Sequence, residues 1–272
     1  YILIETLGCF FAMLIGVVLG LIGSGGSILA VPIFIYLYGI DEKLATGYSL
    51  FVVGFSALIG GLKQYTKGSI DFKIALIFGL PAILSVTAVR SFIIPKLPDE
   101  LLSIGTFVIS RRMGILGLFA LVMLPAAYGM LRNPITATEP HKPNKINYNP
   151  LLILIEGLFI GSITGLVGAG GGFIIIPALV LWAKIEIKTA IGTSLVIVTL
   201  KSLIGFFLGD ALQMNIDWMF LLPFTGFALV GVFFGSYFNS HLKGPILRLG
   251  FGYFILLMST FIFFMEFLSL SN

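Results

Sequence analysis

The chain has 272 residues, 58% of them hydrophobic and 10% charged, with a formal net charge of +4 and a mean hydropathy of +1.10. Soluble domains carry about 25% charged residues, so this chain has too few to cover a water-facing surface, and a soluble globular protein is excluded. The basic residues are scattered among short loops rather than gathered into a patch, which excludes nucleic acid as a partner and leaves the lipid bilayer. The single cysteine, Cys9, excludes an intramolecular disulfide and a multi-cysteine metal site. His141 and His241 fall in loops, so no metal and no cofactor is expected.

Several apolar runs approach the roughly 20 residues that a helix needs to cross the hydrocarbon core. They lack the dyad alternation of a barrel, so the spans should be helical. Residues 2–22 form the first long apolar segment. It has no basic leader and enters a glycine motif directly, so it is read as structure rather than as a signal peptide. That motif, GLIGSGGSILAVP at 20–32, opens a short apolar segment at 27–38. Full spans are predicted at 44–62, 72–94 and 113–131, with extra residues near 101–110 that carry no functional reading. A proline-rich stretch, 132–150, has no periodicity and reads as an exposed linker. The series then repeats: 151–167, GLVGAGGGFIIIP at 165–177, a short segment at 173–183, and spans at 189–208, 218–238 and 246–267.

A shift of 145 residues aligns 16–51 with 161–196 without a gap, and 13 of the 36 positions are identical. SIDF at 69–72 answers NIDW at 215–218 one residue out of step. Internal duplications of this kind are common in transporters, whose substrate sites lie between the halves. The expected fold is therefore an all-α polytopic membrane protein of two pseudo-symmetric repeats, 1–131 and 151–272, joined by the linker 132–150. Each repeat has a glycine-broken or re-entrant first helix and about three spanning helices. Re-entrant motifs give three spans per half and inverted repeats; broken spanning helices give four and parallel repeats. Lys63, Lys67 and Lys73 in one loop, against Asp210 and Asp217 in its counterpart, favour inversion, although the next loop is basic in both halves.

The glycines carry the functional reading. Gly16-xxx-Gly20 and Gly161-xxx-Gly165 suit close helix packing. The denser clusters, Gly23, Ser24, Gly25, Gly26 and Ser27, then Gly168, Ala169, Gly170, Gly171 and Gly172, do not. A glycine inside a helix is about 1 kcal/mol worse than alanine, more than one packing contact returns. Glycine instead permits positive φ and exposes bare N–H groups, so a second helix can start there with unpaired donors and a positive dipole end. Two such starts near the midplane would attract a small oxyanion. No GK[ST] follows, which excludes a phosphate-binding P-loop.

On the next span Ser49 and Ser56 share a face, and their counterparts are Ser194 and Lys201. Lys201 lies mid-run, too deep to snorkel, and is a candidate for the anion pathway or else a partner for Glu156 or Asp210. Thr193 is a candidate donor to the anion, with Tyr48 in its place in the first half. Gln64 and Tyr65 read as interfacial anchors and Arg90 as a snorkelling side chain.

The duplicated glycine signature, AIGTSL at 190–195 with its echo ATGYSL at 45–50, and the turns at 68–72 and 213–218 resemble the TauE/SafE family of sulfite and organosulfonate exporters over nearly the whole chain. The resemblance implies a multi-pass inner-membrane protein that moves a small anionic substrate, sulfite-like or sulfonate-like, with no enzymatic step. No catalytic constellation of His, Cys, Asp and Glu contradicts that. An exporter working by alternating access, an anion channel and a permease for another small organic anion remain alternatives, and a homo-oligomer is compatible with each.

Overall fold

The computed structural model describes residues 2–23, 26–104, 107–132, 150–168, 170–181 and 185–270. The linker, Ser24, Gly25 and Ala169 lie outside the described residues. The first half comprises α1 (Ile2–Ile22), α2 (Ser27–Pro32, running on as a π-helical turn Ile33–Leu37) and α3 (Glu42–Thr66). It continues with α4 (Phe72–Ala88, running on as a π-helical turn Val89–Ile93) and α5 (Arg111–Leu131). The second half has α6 (Pro150–Val167), α7 (Gly172–Leu181), α8 (Ile187–Gly205, running on as a π-helical turn Phe206–Asp210), α9 (Trp218–His241) and α10 (Gly244–Leu270). Six of these units, headed by α3, α4, α5, α8, α9 and α10, are long and apolar enough to cross a membrane.

One element departs from the all-α expectation. Strands β1 (Glu100–Ile104) and β2 (Phe107–Ser110) pair antiparallel between α4 and α5. This is the stretch for which the sequence offered no reading: two short apolar runs are ambiguous between helix and strand by periodicity alone.

Close approaches at glycine fix how the helices run. Gly47, Gly54 and Gly61 of α3 face Asp210, Leu203 and Leu195 of α8, so these two helices are antiparallel. Helices α5 and α10 are antiparallel too: Arg112 meets Glu266, Ser259 bonds the carbonyl of Ala120, and Arg248 bonds that of Met130. Gly16 and Gly20 of α1 lie on the backbone of Ala228, Val232 and Ser236, and Gly231 and Gly235 of α9 lie on Met13, Val17 and Leu21. That pair runs parallel. So does α6 on α4, with Gly157, Gly161 and Gly165 against Phe78, Ala82 and Val86. Absent side chains let these backbones touch, which is what holds apolar helices together when water supplies no driving force.

The bundle thus has two ends. At the Asp210 end, α3, α5 and α9 begin while α4, α8 and α10 finish; Arg111 there joins Asp41, Glu42 and Asp99. At the Gln64 end the directions reverse, and Gln64 bonds Asn239 at 3.4 Å. The pairs α1–α2 and α6–α7 are helical hairpins. Tyr38 returns to cover Gly8, and Gly26 folds back on Leu19, so the first hairpin enters from the Asp210 end. Gly171 folds back on Thr164, and Leu181 reaches Gly129, so the second enters from the Gln64 end.

The ID[FW] turns now have a physical account. Asp71 and Asp217 are N-caps: Asp71 accepts from the N–H groups of Lys73 and Ile74, and Asp217 from that of Phe220. Each donates its own N–H to a hydroxyl of the other half, Asp71 to Thr193 at 2.9 Å and Asp217 to Tyr48 at 2.8 Å.

Candidate functional site

Gly23, Gly168, Gly170 and Gly171 have φ of +78°, +70°, +61° and +66°, conformations that side chains resist. Glycine is therefore required at these positions by the turn itself. Gly26 is pressed against Ile15 and Leu19, and Ser27 and Gly172 are the buried first residues of α2 and α7.

The expectation that the two motifs meet at the midplane needs correction. Gly23 packs on Ile191, near the start of α8, and Gly168 packs on Thr46, near the start of α3. Because α3 and α8 are antiparallel, these contacts lie at opposite ends of the pair, about 29 Å apart at 1.5 Å per residue. Hairpins entering from opposite faces each carry their tip past the middle. What comes to the centre is the start of α7. A Cβ on Gly170 would touch Val53, Val198 and the Ser202 hydroxyl, and one on Gly171 would sit 2.6 Å from the Lys201 ammonium.

Lys201 is the central feature. It is 1% exposed, and its Nζ donates to Thr164 Oγ1 at 2.9 Å. Among the described residues no carboxylate pairs with it: Asp210 is taken by Arg90, and Glu156 makes no ion pair. The register of α3 on α8, Gly54 with Leu203 and Gly61 with Leu195, puts Ser56 and Lys201 at the level of the crossing. Ser202, Ser49 and Ser56 are buried, and among the described residues their hydroxyls have no hydrogen-bond partner. Helix α7 adds the N–H groups of Gly172 and Phe173, which precede any intrahelical carbonyl, while those of Ile174 and Ile175 donate to the Gly171 carbonyl at 3.1 Å.

The other candidates sit elsewhere. The Thr193 hydroxyl receives the Asp71 N–H, and Ser194 bonds the carbonyl of Ile191 at 2.9 Å. Two readings are overturned. Arg90 does not snorkel but is buried against Asp210, and Gln64 is no interfacial anchor but is buried against Asn239. Thr164 and Ser202 were missed. Ser202 had a signal, as the neighbour of the intramembrane lysine. Thr164 had none, since Leu19 holds its place in the first half.

The whole cluster is sealed. A shallow depression of about 300 Å³, lined by Tyr38, Ile40, Leu44, Tyr48, Asp217 and Phe220, opens at the Asp210 end, away from Lys201. The Gln64 end is strongly basic: Lys63, Lys67, Lys73, Arg132, Lys188, Lys243 and Arg248 gather there. Desolvation, then the charges of Lys63 and Lys188, holds the Lys67 ammonium below its ordinary value.

Crossing-length apolar helices around a sealed polar centre, with hairpins entering from both faces, define a multi-pass membrane transporter. The chain belongs to the sulfite exporter TauE/SafE family, whose model matches residues 8–262. It is 30% identical over 230 residues to a "Probable membrane transporter protein" of Xylella fastidiosa strain 9a5c, covering 84% of this chain and 82% of that one. A protein of the same description from strain Temecula1 is 28% identical over 271 residues, covering 98% and 97%. The Bacillus subtilis "Probable membrane transporter protein YdhB" is 26% identical over 239 residues, covering 86% and 90%. No solved structure matches the chain.

Proposed function

We propose that the protein exports a small sulfur-containing anion, such as sulfite or an organosulfonate, across the cell's inner membrane by alternating access between two inverted repeats. The anion binds among the glycine-motif hairpins, held by the first turn of α7, the Lys201 ammonium and the hydroxyls of Ser202 and Thr164. One observation carries this reading: a fully buried ammonium rests against a bare glycine turn with a hydroxyl, not a carboxylate, as its hydrogen-bond partner. An ammonium has three donors, and a buried cation without a counter-ion is expensive unless an anion visits it.

Inversion is supported by the antiparallel course of α3 against α8 and of α5 against α10, pairs that correspond under the 145-residue shift. The excess of Lys and Arg at the Gln64 end favours that end as cytoplasmic. Export then runs from the Gln64 end to the Asp210 end. A negative interior favours it by about 2.3 kcal/mol per charge per 100 mV, enough to drive a uniporter.

The test is sulfite flux in proteoliposomes under an imposed potential, with wild type beside Lys201→Met. A hydrogen bond to a charged group contributes about 1.5–3 kcal/mol, so the variant should lose roughly tenfold or more in apparent affinity while reaching the membrane in normal amount. Flux indistinguishable from wild type would remove Lys201 from the site.

A further inference from the structure

A second buried cation lies away from Lys201, and nothing assigned so far uses it. Arg90, in the π-helical turn after α4, faces Asp210, the last residue of the π-helical turn after α8. Both side chains are 0% exposed, with Nη2 and Oδ2 3.2 Å apart. π-Helical turns are rare and are frequently found at functional sites.

The pair is poorly satisfied. Arg90 Nη1 donates to Thr46 Oγ1 at 3.0 Å, but among the described residues Nε and Nη2 make no hydrogen bond, and neither Asp210 oxygen accepts one. The charges are close enough to attract yet are not aligned as a fork, although bidentate pairing is what a guanidinium offers a carboxylate. This guanidinium keeps donor capacity in reserve.

Its surroundings connect it to the second hairpin. Thr46, which holds Nη1, is the residue on which the tip glycine of the second hairpin, Gly168, packs. A Cβ on Gly47 would lie 3.2 Å from Asp210 Oδ2, and one on Gly209 would lie 2.6 Å from Arg90 Cβ, so glycines let three segments close on the pair. At the other end, Gln64 and Asn239 make a bridge at 3.4 Å between α3 and α9, as Asp210 and Arg90 bridge the α8 and α4 units. One bridge is neutral and the other ionic. The two ends therefore differ in what they offer an anion.

The geometry points to Arg90 as a second anion-binding site at the Asp210 end, where the Asp210 carboxylate occupies the guanidinium and an oxyanion released from the centre takes its place. The ligand class is a small oxyanion with two oxygens able to span the Nε and Nη2 donors, as sulfite and sulfonates have. The inference rests on the anion reading of the central site. No bond is made or broken; one anionic partner of Arg90 replaces another.

Two variants of the full chain test it, with sulfite as the probe. Asp210→Asn removes the competing charge and keeps the shape, so sulfite should bind at least threefold more tightly. The double variant Arg90→Met, Asp210→Leu replaces the pair by apolar side chains and avoids a lone buried charge. It should fold, keep the Lys201-dependent thermal shift with sulfite, and lose at least tenfold in transport rate. Unchanged sulfite affinity in Asp210→Asn, or wild-type transport by the double variant, overturns the assignment and leaves the pair as a staple. If Asp210→Asn does not accumulate, the double variant decides. Normal sulfite binding by Lys201→Met, with tighter binding by Asp210→Asn and slowed transport by the double variant, would instead sink the central site alone.

Discussion

Gly168 and Gly23 make a matched experiment, because they hold corresponding hairpin tips at nearly the same φ, +70° and +78°. Alanine at either position bears the left-handed strain of about 1–2 kcal/mol. The neighbours differ. At Gly168 the new Cβ would strike Thr46 through its backbone, with Cα at 2.6 Å and the carbonyl oxygen at 2.7 Å, atoms that cannot step aside. At Gly23 it would meet the Ile191 Cγ2 methyl at 2.9 Å, which a small side-chain shift relieves. Overpacking adds about 1–3 kcal/mol, so Gly168→Ala should lose about 2–5 kcal/mol and Gly23→Ala about 1–2. For a chain of this size each kcal/mol moves the melting midpoint by about 2–4 °C. The expected drops are then of order 10 °C and of order 4 °C, read by size exclusion of detergent-solubilised protein after graded heating. Equal midpoints, or the reverse order, would refute the placement of Gly168 against the α3 backbone.

Thr193→Val strips the acceptor from a half-buried Asp71 N–H, which should cost about 1 kcal/mol and lower the midpoint by a few degrees; Tyr48→Phe should do the same through Asp217. An unchanged midpoint in both would mean that these turns are held by their caps alone. Gly250→Ala, in α10 where a Cβ meets nothing within 4 Å, should raise the midpoint by recovering about 1 kcal/mol of helix propensity. A fall would place an unseen neighbour there. In a Cys9→Ser background, single cysteines at Lys67 and Gln213 should react with an impermeant maleimide from opposite sides of the membrane, Lys67 from the cytoplasm. Labelling from one side would contradict the course of α3 and α8.

The spans were legible because length and hydropathy decide them, and the positive-φ glycines because no other residue adopts that backbone cheaply. The same glycines misled over distance. A repeat shows which residues correspond but not how far a hairpin penetrates, and that depth is set by α6 lying along α4 and α1 along α9. Arg90 was misread for a related reason. Its place near a predicted span end suggested water, but the partner that buries it is Asp210, 120 residues away. Thr193 looked like a ligand because its true partner, the Asp71 N–H, belongs to a turn in the other half. The burial of Lys201 was legible because it stands mid-way along an apolar run, too deep for its side chain to reach water.

The number of crossings has a consequence for how the chain is made. Among the described residues three crossing-length helices, α3, α4 and α5, precede the linker, and in the inverted arrangement proposed above that odd number delivers the growing chain to the side opposite its start. The segment after it is then threaded upside down with no further instruction. An even count would have set both segments the same way up, with α3 and α8 side by side in parallel. A deletion that cost any one of the first three helices would therefore do more than remove a wall of the bundle. Every later helix would emerge facing the wrong compartment, and Asp71 and Asp217 would lose the hydroxyls that receive their N–H groups.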